Sequence, residues 1–274
     1  MLTYTHRRAC ASLIFESCKR IDDDETRLAF IGKSTKQEIV YVVLIGALGG
    51  GIEPPNQVML SRCGSLIQAR KMDLTGKTAI VTGGGRDIGR FISLKLASMG
   101  ANVVVNYYNT PDDADATIQM ISDQGGKAIG VKADLTQWDE CFRLVEEGQK
   151  AFGKAIHILV NNAGGLVARK KLVEMDEAFW DFVIDLNLKS VFMMHKAVIS
   201  HMPEGGSIVN LASQAGRDGG GGGSSAYATS KGAVMTYTRA MAKELGPKGI
   251  RVNAVCPGLI ATTFHDTFTA NSIR

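Results

Sequence analysis

The sequence predicts an α/β fold, a doubly wound parallel sheet with helices on both faces. Two observations carry that prediction. From Met72 onward, short and largely continuous apolar runs alternate with helical patterns, the signature of βαβ units. The first of these runs ends directly in a glycine turn, Thr82-Gly83-Gly84-Gly85-Arg86-Asp87-Ile88-Gly89, placed where parallel sheets bind nucleotides.

The candidate strands are 77–82, 102–107, 128–132, 157–160, 207–211 and 250–255. Continuous apolar runs of this kind suit strands covered on both faces. Helices are expected between them, at 88–99, 112–124, 136–152, 176–200 and 225–245. Gly246-Pro247-Lys248-Gly249 stops the last one. Five glycines at 219–223 read both as a surface loop and as the mobile rim of a site, and the two readings are compatible.

Residues 1–71 precede this pattern and form an N-terminal extension with no assigned structure. The longest apolar run, 39–48, is shorter than the ~20 residues that span a bilayer. It reads as a short buried strand, and no membrane partner is expected. Arg7, Arg8, Lys19 and Arg20 weakly resemble a transit peptide, but Asp22-Asp23-Asp24-Glu25 follows at once. An N-terminal extension with a targeting role is the alternative reading.

Hydrophobic residues at 45% and charged residues at 21% are ordinary for a globular chain. The net charge of +4 is concentrated in the extension. Residues 72–274 are nearly neutral, which argues against a nucleic-acid surface. Cysteines at 10, 18, 63, 141 and 256 are widely spaced and odd in number, which fits a reducing, cytoplasmic compartment. The five histidines form no cluster with carboxylates, so no metal is expected. His195 and His201 are expected at the surface, near a helix end.

The glycine turn lets a backbone approach a pyrophosphate, and the helix that follows offers unpaired N–H groups and a positive dipole end. An NAD site normally has an acid at the end of the second strand. Here that place reads Val105-Asn106-Tyr107-Tyr108-Asn109, without an acid. Arg86 lies in the turn and is suited to a 2′-phosphate. NADP(H) is therefore favoured, with NAD(H) and a merely solvated Arg86 as the alternative.

The second half supplies a proton donor. Tyr227 and Lys231 are spaced i, i+4 on a predicted helix and share a face. A cation beside a phenol favours the phenolate and lowers its pKa, which suits general acid–base work. Ser213 ends a strand and can donate a hydrogen bond to a carbonyl oxygen.

Taken together, residues 72–263 resemble the classical short-chain dehydrogenase/reductase family, in particular 3-oxoacyl-[acyl-carrier-protein] reductases. The family's Thr-Gly-x-x-x-Gly-x-Gly turn is matched at Thr82, Gly83 and Gly89, with Asp87 in place of the middle glycine. Asp134 resembles an adenine-contacting acid, and equally reads as a cap before Thr136. Asn162, Ala163 and Gly164, after Asn161, resemble the motif that lines the cofactor. Asn187 matches an asparagine that anchors a relay water, and also reads as satisfying backbone groups at a helix kink. Ser213, Tyr227 and Lys231 match the catalytic serine, the proton donor and its lysine. Pro257, Gly258 and Thr262 resemble the segment that closes over the nicotinamide. The resemblance implies a Rossmann-type fold and hydride transfer between NADPH and a carbonyl or secondary alcohol. Candidate substrates are a 3-oxoacyl thioester, a sugar or a small ketone.

Family members continue well past the Pro-Gly segment, to a final strand. This chain stops at Arg274, so the last strand is expected to be missing, 250–255 to form an open edge, and 39–45 to be its one candidate partner. A homodimer is expected, through helices 176–200 and 225–245, and a tetramer is not. A truncated, catalytically weak protein that binds nucleotide or partner subunits is the second reading.

Overall fold

The computed structural model describes residues 29–30, 72–260, 262–263 and 268. Its strands are β1 (Ala29–Phe30), β2 (Thr78–Val81), β3 (Asn102–Tyr107), β4 (Lys127–Lys132), β5 (Ile158–Asn161), β6 (Ser207–Leu211) and β7 (Arg251–Cys256). They form one sheet in the order β1-β7-β6-β5-β2-β3-β4, with every pairing parallel. The helices are α1 (Asp87–Ser98), α2 (Pro111–Asp123), α3 (Trp138–Phe152), α4 (Glu177–Ile184), α5 (Ser190–Val198), α6 (Ala215–Asp218) and α7 (Ser225–Leu245).

Alternation along each strand sorts its side chains onto two cores. Ile80, Val104, Leu159 and Ile208 pack with Leu144 of α3 and with Met193, Met194 and Val198 of α5. Ala79, Val81, Val103, Val105 and Val209 pack on the other face with Ile92 and Leu96 of α1 and Ile121 of α2. Burying each large aliphatic side chain contributes about 1.5–3 kcal/mol. This double coverage is why the strands read as unbroken apolar runs rather than alternating ones.

Local chemistry sets the ends. Pro111 opens α2, with Asp112 and Asp113 in its first turn, where a missing N–H costs nothing and acids face the positive dipole end. The Asp176 carboxylate accepts from Phe179 N at 2.8 Å and caps α4. Gly153, at φ 95°, ends α3 in a conformation open to glycine.

Three expectations need correction. The regular α-helix expected over 176–200 carries a π segment, Asp185–Lys189, between α4 and α5. The β7 edge is not wholly open: β1 lies beside it, Ala29 opposite Val255 and Phe30 opposite Cys256. The one candidate partner, 39–45, lies outside the described residues. Third, His195 is buried at 3% exposure, on the face of α5 turned to the sheet. No helix among the described residues is long and apolar enough to cross a membrane.

Candidate active site

The strand order reverses between β5 and β2, and ligands bind outside the carboxyl ends of strands at such a point. Two loops leave the sheet there, the glycine turn after β2 and Asn162-Ala163-Gly164 after β5. They are bonded to each other. Asn162 Nδ2 donates to Thr82 O and Gly83 O, both at 3.0 Å, and Ala163 N donates to Thr82 Oγ1 at 3.0 Å. The remaining carbonyls of the turn are also tied inward. Ser93 Oγ donates to Gly84 O at 3.1 Å, and Thr117 Oγ1 and Arg90 Nε donate to Gly85 O at 2.6 and 3.0 Å.

The glycines are required by contact. A Cβ on Gly89 would overlap the Gly83 carbonyl oxygen and crowd Asn162 Nδ2. A Cβ on Gly85 would lie 2.9 Å from the Ala114 backbone. Helix α1 therefore starts flush against the turn, and its first N–H groups have no intrahelical partner. That is the cradle a diphosphate fits.

Around the cradle, Arg86 is exposed, and its Nε lies 3.7 Å from Asp87 Oδ2. Asn106 is buried and braces the turn from below. Its Oδ1 accepts from Gly83 N at 3.1 Å, and its Nδ2 donates to Ala133 O at 3.2 Å. Asp134 Oδ1 accepts from Thr136 N and Oγ1 at 2.9 and 2.7 Å. It closes a turn ahead of α3, whose N-cap is Gln137.

The residues expected to handle a proton gather beside β5 and β6. Tyr227 and Lys231 lie one turn apart on α7, and Tyr227 is hydrogen-bonded through its side chain to Ser213. Lys231 is buried; its Nζ donates to Leu211 O at 2.7 Å and lies 5.8 Å from the centre of the Tyr227 ring. Asn187, in the π segment, accepts from Gly165 N at 2.9 Å and donates to Gly165 O and Val183 O at 2.9 and 3.0 Å. Gly164, at φ 151°, allows this closeness: a Cβ there would lie 2.5 Å from Asn187 Oδ1 and 3.2 Å from Lys231 Nζ.

The electrostatics differ from the simple cation–phenol pair. Burial pulls Lys231 down to about 8. Burial also raises Tyr227 above the ordinary phenol value, against a smaller lowering by the Ser213 hydrogen bond. The lysine's ammonium is directed at the Leu211 carbonyl, and burial sets the direction of the phenol's shift.

On the open side, Gln214 N donates to Pro257 O at 2.9 Å, which sets Pro257 and Gly258 beside Ser213. Thr262 Oγ1 donates to Ile260 O at 3.2 Å. Arg169 donates from Nε to Phe268 O and from Nη1 to Gly222 O, each at 3.0 Å. It thereby ties Phe268 to the glycine tract. A shallow cavity of about 360 Å³, lined by Lys154, Ser200, His201 and Pro203, belongs to the opposite end of the strands and contains none of these groups.

The family described as short chain dehydrogenase matches residues 77–272. The chain belongs to the short-chain dehydrogenase/reductase family. Among its relatives is a 3-oxoacyl-[acyl-carrier-protein] reductase of Synechocystis sp., 41% identical over 202 residues, covering 73% of this chain and 81% of the relative. A Burkholderia cenocepacia short chain dehydrogenase solved in complex with NADP is 36% identical, with a TM-score of 0.67, over 70% of this chain and 77% of that one. An NADH-dependent reductase responsible for alginate metabolism is also 36% identical, with a TM-score of 0.66, over 69% of this chain and 79% of that one. Relatives of equal likeness are thus described with NADP bound in one case and as NADH-dependent in the other.

Sequence reading missed a buried polar chain behind the site. Asn210 Oδ1 accepts from Asn161 Nδ2 at 2.9 Å and lies 3.1 Å from His195 Nε2, while Asn210 Nδ2 donates to Thr238 Oγ1 at 3.0 Å. Burial lowers His195 to about 4. The polar letters at 161, which ends an apolar strand, and at 210, inside another, were the available signal.

Proposed function

We propose that this short-chain dehydrogenase/reductase transfers hydride between NADP(H) and a carbonyl or secondary-alcohol substrate, in the reducing direction near neutral pH. The observation that carries the reading is the cluster Ser213–Tyr227–Lys231, set at the switch point beside a glycine cradle. The nicotinamide cofactor, when bound, supplies or accepts the hydride. The residues that would hold it are Gly83, Arg86, Asp87, Ile88 and Gly89 at the diphosphate, with Asn106 bracing them and Asp134 toward the adenine. Asn162, Ala163, Gly164, Pro257, Gly258 and Thr262 line its path to the nicotinamide.

Ser213 holds the substrate oxygen and Tyr227 gives it a proton. The raised Tyr227 pKa keeps the phenol protonated, which suits a donor; alcohol oxidation needs the phenolate and calls for higher pH. Lys231 contributes its charge to the nicotinamide ribose while it remains protonated. Both amide hydrogens of Asn187 are spent on carbonyls, so it offers a relay water an acceptor.

The preference for NADPH is modest, because Asp87 competes for Arg86. The exposed contact supports roughly 1–3 kcal/mol at most. Exposed Phe182 and Phe192, on α4 and α5, support assembly of two copies through these helices. Light scattering reads that state: a monomer at micromolar concentration would refute it. Substrates of the 3-oxoacyl thioester, sugar and small-ketone classes are the first to screen. The deciding experiment is Tyr227→Phe, assayed as NADPH oxidation with a ketone panel beside NADPH binding. Reduction should be abolished with binding nearly intact. Retained turnover would remove Tyr227 as donor, and tighter NADH than NADPH binding by the parent chain would reverse the cofactor assignment.

A further inference from the structure

Asp87 stands in the left-handed backbone region, at φ 49°, at the turn position where the family pattern has glycine. Holding an L-residue there costs about 1 kcal/mol or more, and aspartate bears it better than most. Its carboxylate does not cap α1, whose N-cap is Arg86 without a side-chain bond. It reaches instead to the segment that follows β7. Thr263 N donates to Oδ1 at 3.1 Å, and Thr263 Oγ1 donates to Oδ2 at 2.6 Å. Both carboxylate oxygens are therefore directed at one residue, 176 positions away in sequence. Two bonds to one partner fix an orientation that a single bond leaves free.

Thr263 directly follows Thr262, in the segment that Pro257 and Gly258 begin. The contact thus joins the dinucleotide wall of the crevice to its nicotinamide wall. It also disposes of a charge problem. A bare carboxylate at the start of α1 repels a diphosphate seated at that helix end. Here the charge is turned onto two donors, with Arg86 nearby.

We propose that Asp87 is a positioning residue that clasps Thr263 to the glycine turn, and so holds the segment after β7 across the cofactor crevice. The inference rests on the dinucleotide reading of the turn, but the clasp itself can be read without any cofactor.

Four single variants of the full chain separate the possibilities. Asp87→Asn keeps an acceptor for Thr263 N and a donor for Thr263 Oγ1, and tolerates the left-handed backbone. Asp87→Gly removes both contacts and relieves the backbone. Thr263→Ser keeps the hydroxyl and Thr263→Val deletes it. Amide hydrogen exchange on the protein alone reads the clasp: residue 263 should exchange faster in Asp87→Gly and keep its protection in Asp87→Asn. NADPH titration reads the consequence. Asp87→Gly and Thr263→Val should weaken binding about fivefold, the worth of roughly one net hydrogen bond. The Asn and Ser variants should restore it.

Unaltered exchange in Asp87→Gly would overturn the clasp. Faster exchange with undiminished NADPH affinity would overturn the positioning role. Tighter NADPH binding in both Asp87 variants would show that charge governs, and would also overturn it. A parent chain that binds neither NADPH nor NADH sinks the dinucleotide reading and the positioning role together, while the exchange data still judge the contact.

Discussion

The two halves of the sheet build the same crevice by different means. On the side of β2, β3 and β4, most of the work is done by what is absent, with Asn106 as a brace: glycines bring backbone against backbone, and a single Cβ at Gly89 or Gly85 meets an atom. On the side of β5, β6 and β7, it is done by buried side-chain amides, Asn161, Asn187 and Asn210, each bonded to a partner distant in sequence. The first half tolerates added volume least. The second tolerates a lost partner least, because a buried polar group left unpaired carries its full desolvation cost.

The contrast can be broken at four points, in falling order of expected effect. Gly89→Ala should destabilise by ~4 kcal/mol or more, since the clash is with backbone and no side chain can swing away. Denaturant unfolding measures this, and a loss below ~1 kcal/mol would mean that α1 can retreat from the turn. Asn210→Leu should cost about 2–4 kcal/mol by stranding Asn161 and His195, although it adds apolar surface. A neutral or stabilising result would show that the amide chain is not what ties β6 to α5 and α7.

His195 gives the second half an acid sensitivity. Its folded pKa of about 4 lies below the unfolded value of about 6.5. Between these values the unfolded chain binds more protons, so stability falls as pH drops through that window, by about 3 kcal/mol at the bottom. His195→Gln keeps a donor for Asn210 and should flatten that decline, read as Tm at pH 4.5 against pH 7. An unaltered acid limb would place the sensitivity elsewhere.

The smallest effect has the opposite sign. Lys231 titrates at about 8 in the folded chain, below its unfolded value of about 10.4. The native protein should therefore gain stability as pH rises from 8 to 10. Lys231→Met should abolish turnover and weaken cofactor binding, yet raise stability at pH 7 by about 1–2 kcal/mol after the lost bond to Leu211 O. A clear fall in Tm would show that the ammonium is paid back more fully than its burial suggests.

The sequence made the frame of this architecture legible. β3 and β6 have the expected bounds, β4 differs by one residue at one end, and β2, β5 and β7 differ by one residue at each end. Apolar runs fix strands well because both faces of the sheet are covered. The glycine turn was legible for a related reason: it is a local object whose requirement, room for backbone, is written in consecutive letters. The amide chain was not, because its bonds join residues 49 and 28 apart, and no local pattern says which asparagine faces which. The shift of Tyr227 was misjudged because spacing places Lys231 on the same helix face but does not show where its ammonium points. His195 was assigned to the surface from its place near a helix end, and the angular phase set by the π segment is not written in that spacing.

That last error has a larger lesson in the π segment. A π turn amounts to one residue inserted into an α-helix without breaking it. At 3.6 residues per turn, each residue advances the helix by about 100°, so the segment at Asp185–Lys189 resets the angular phase of everything after it. Deleting any one residue there would give a more regular helix and a worse protein. Met193, Met194 and His195 would rotate together away from the sheet, and Asn187 would lose its hold on Gly165. The irregularity acts as a vernier, setting the angle between the half of the helix that carries the site's asparagine and the half that carries the core.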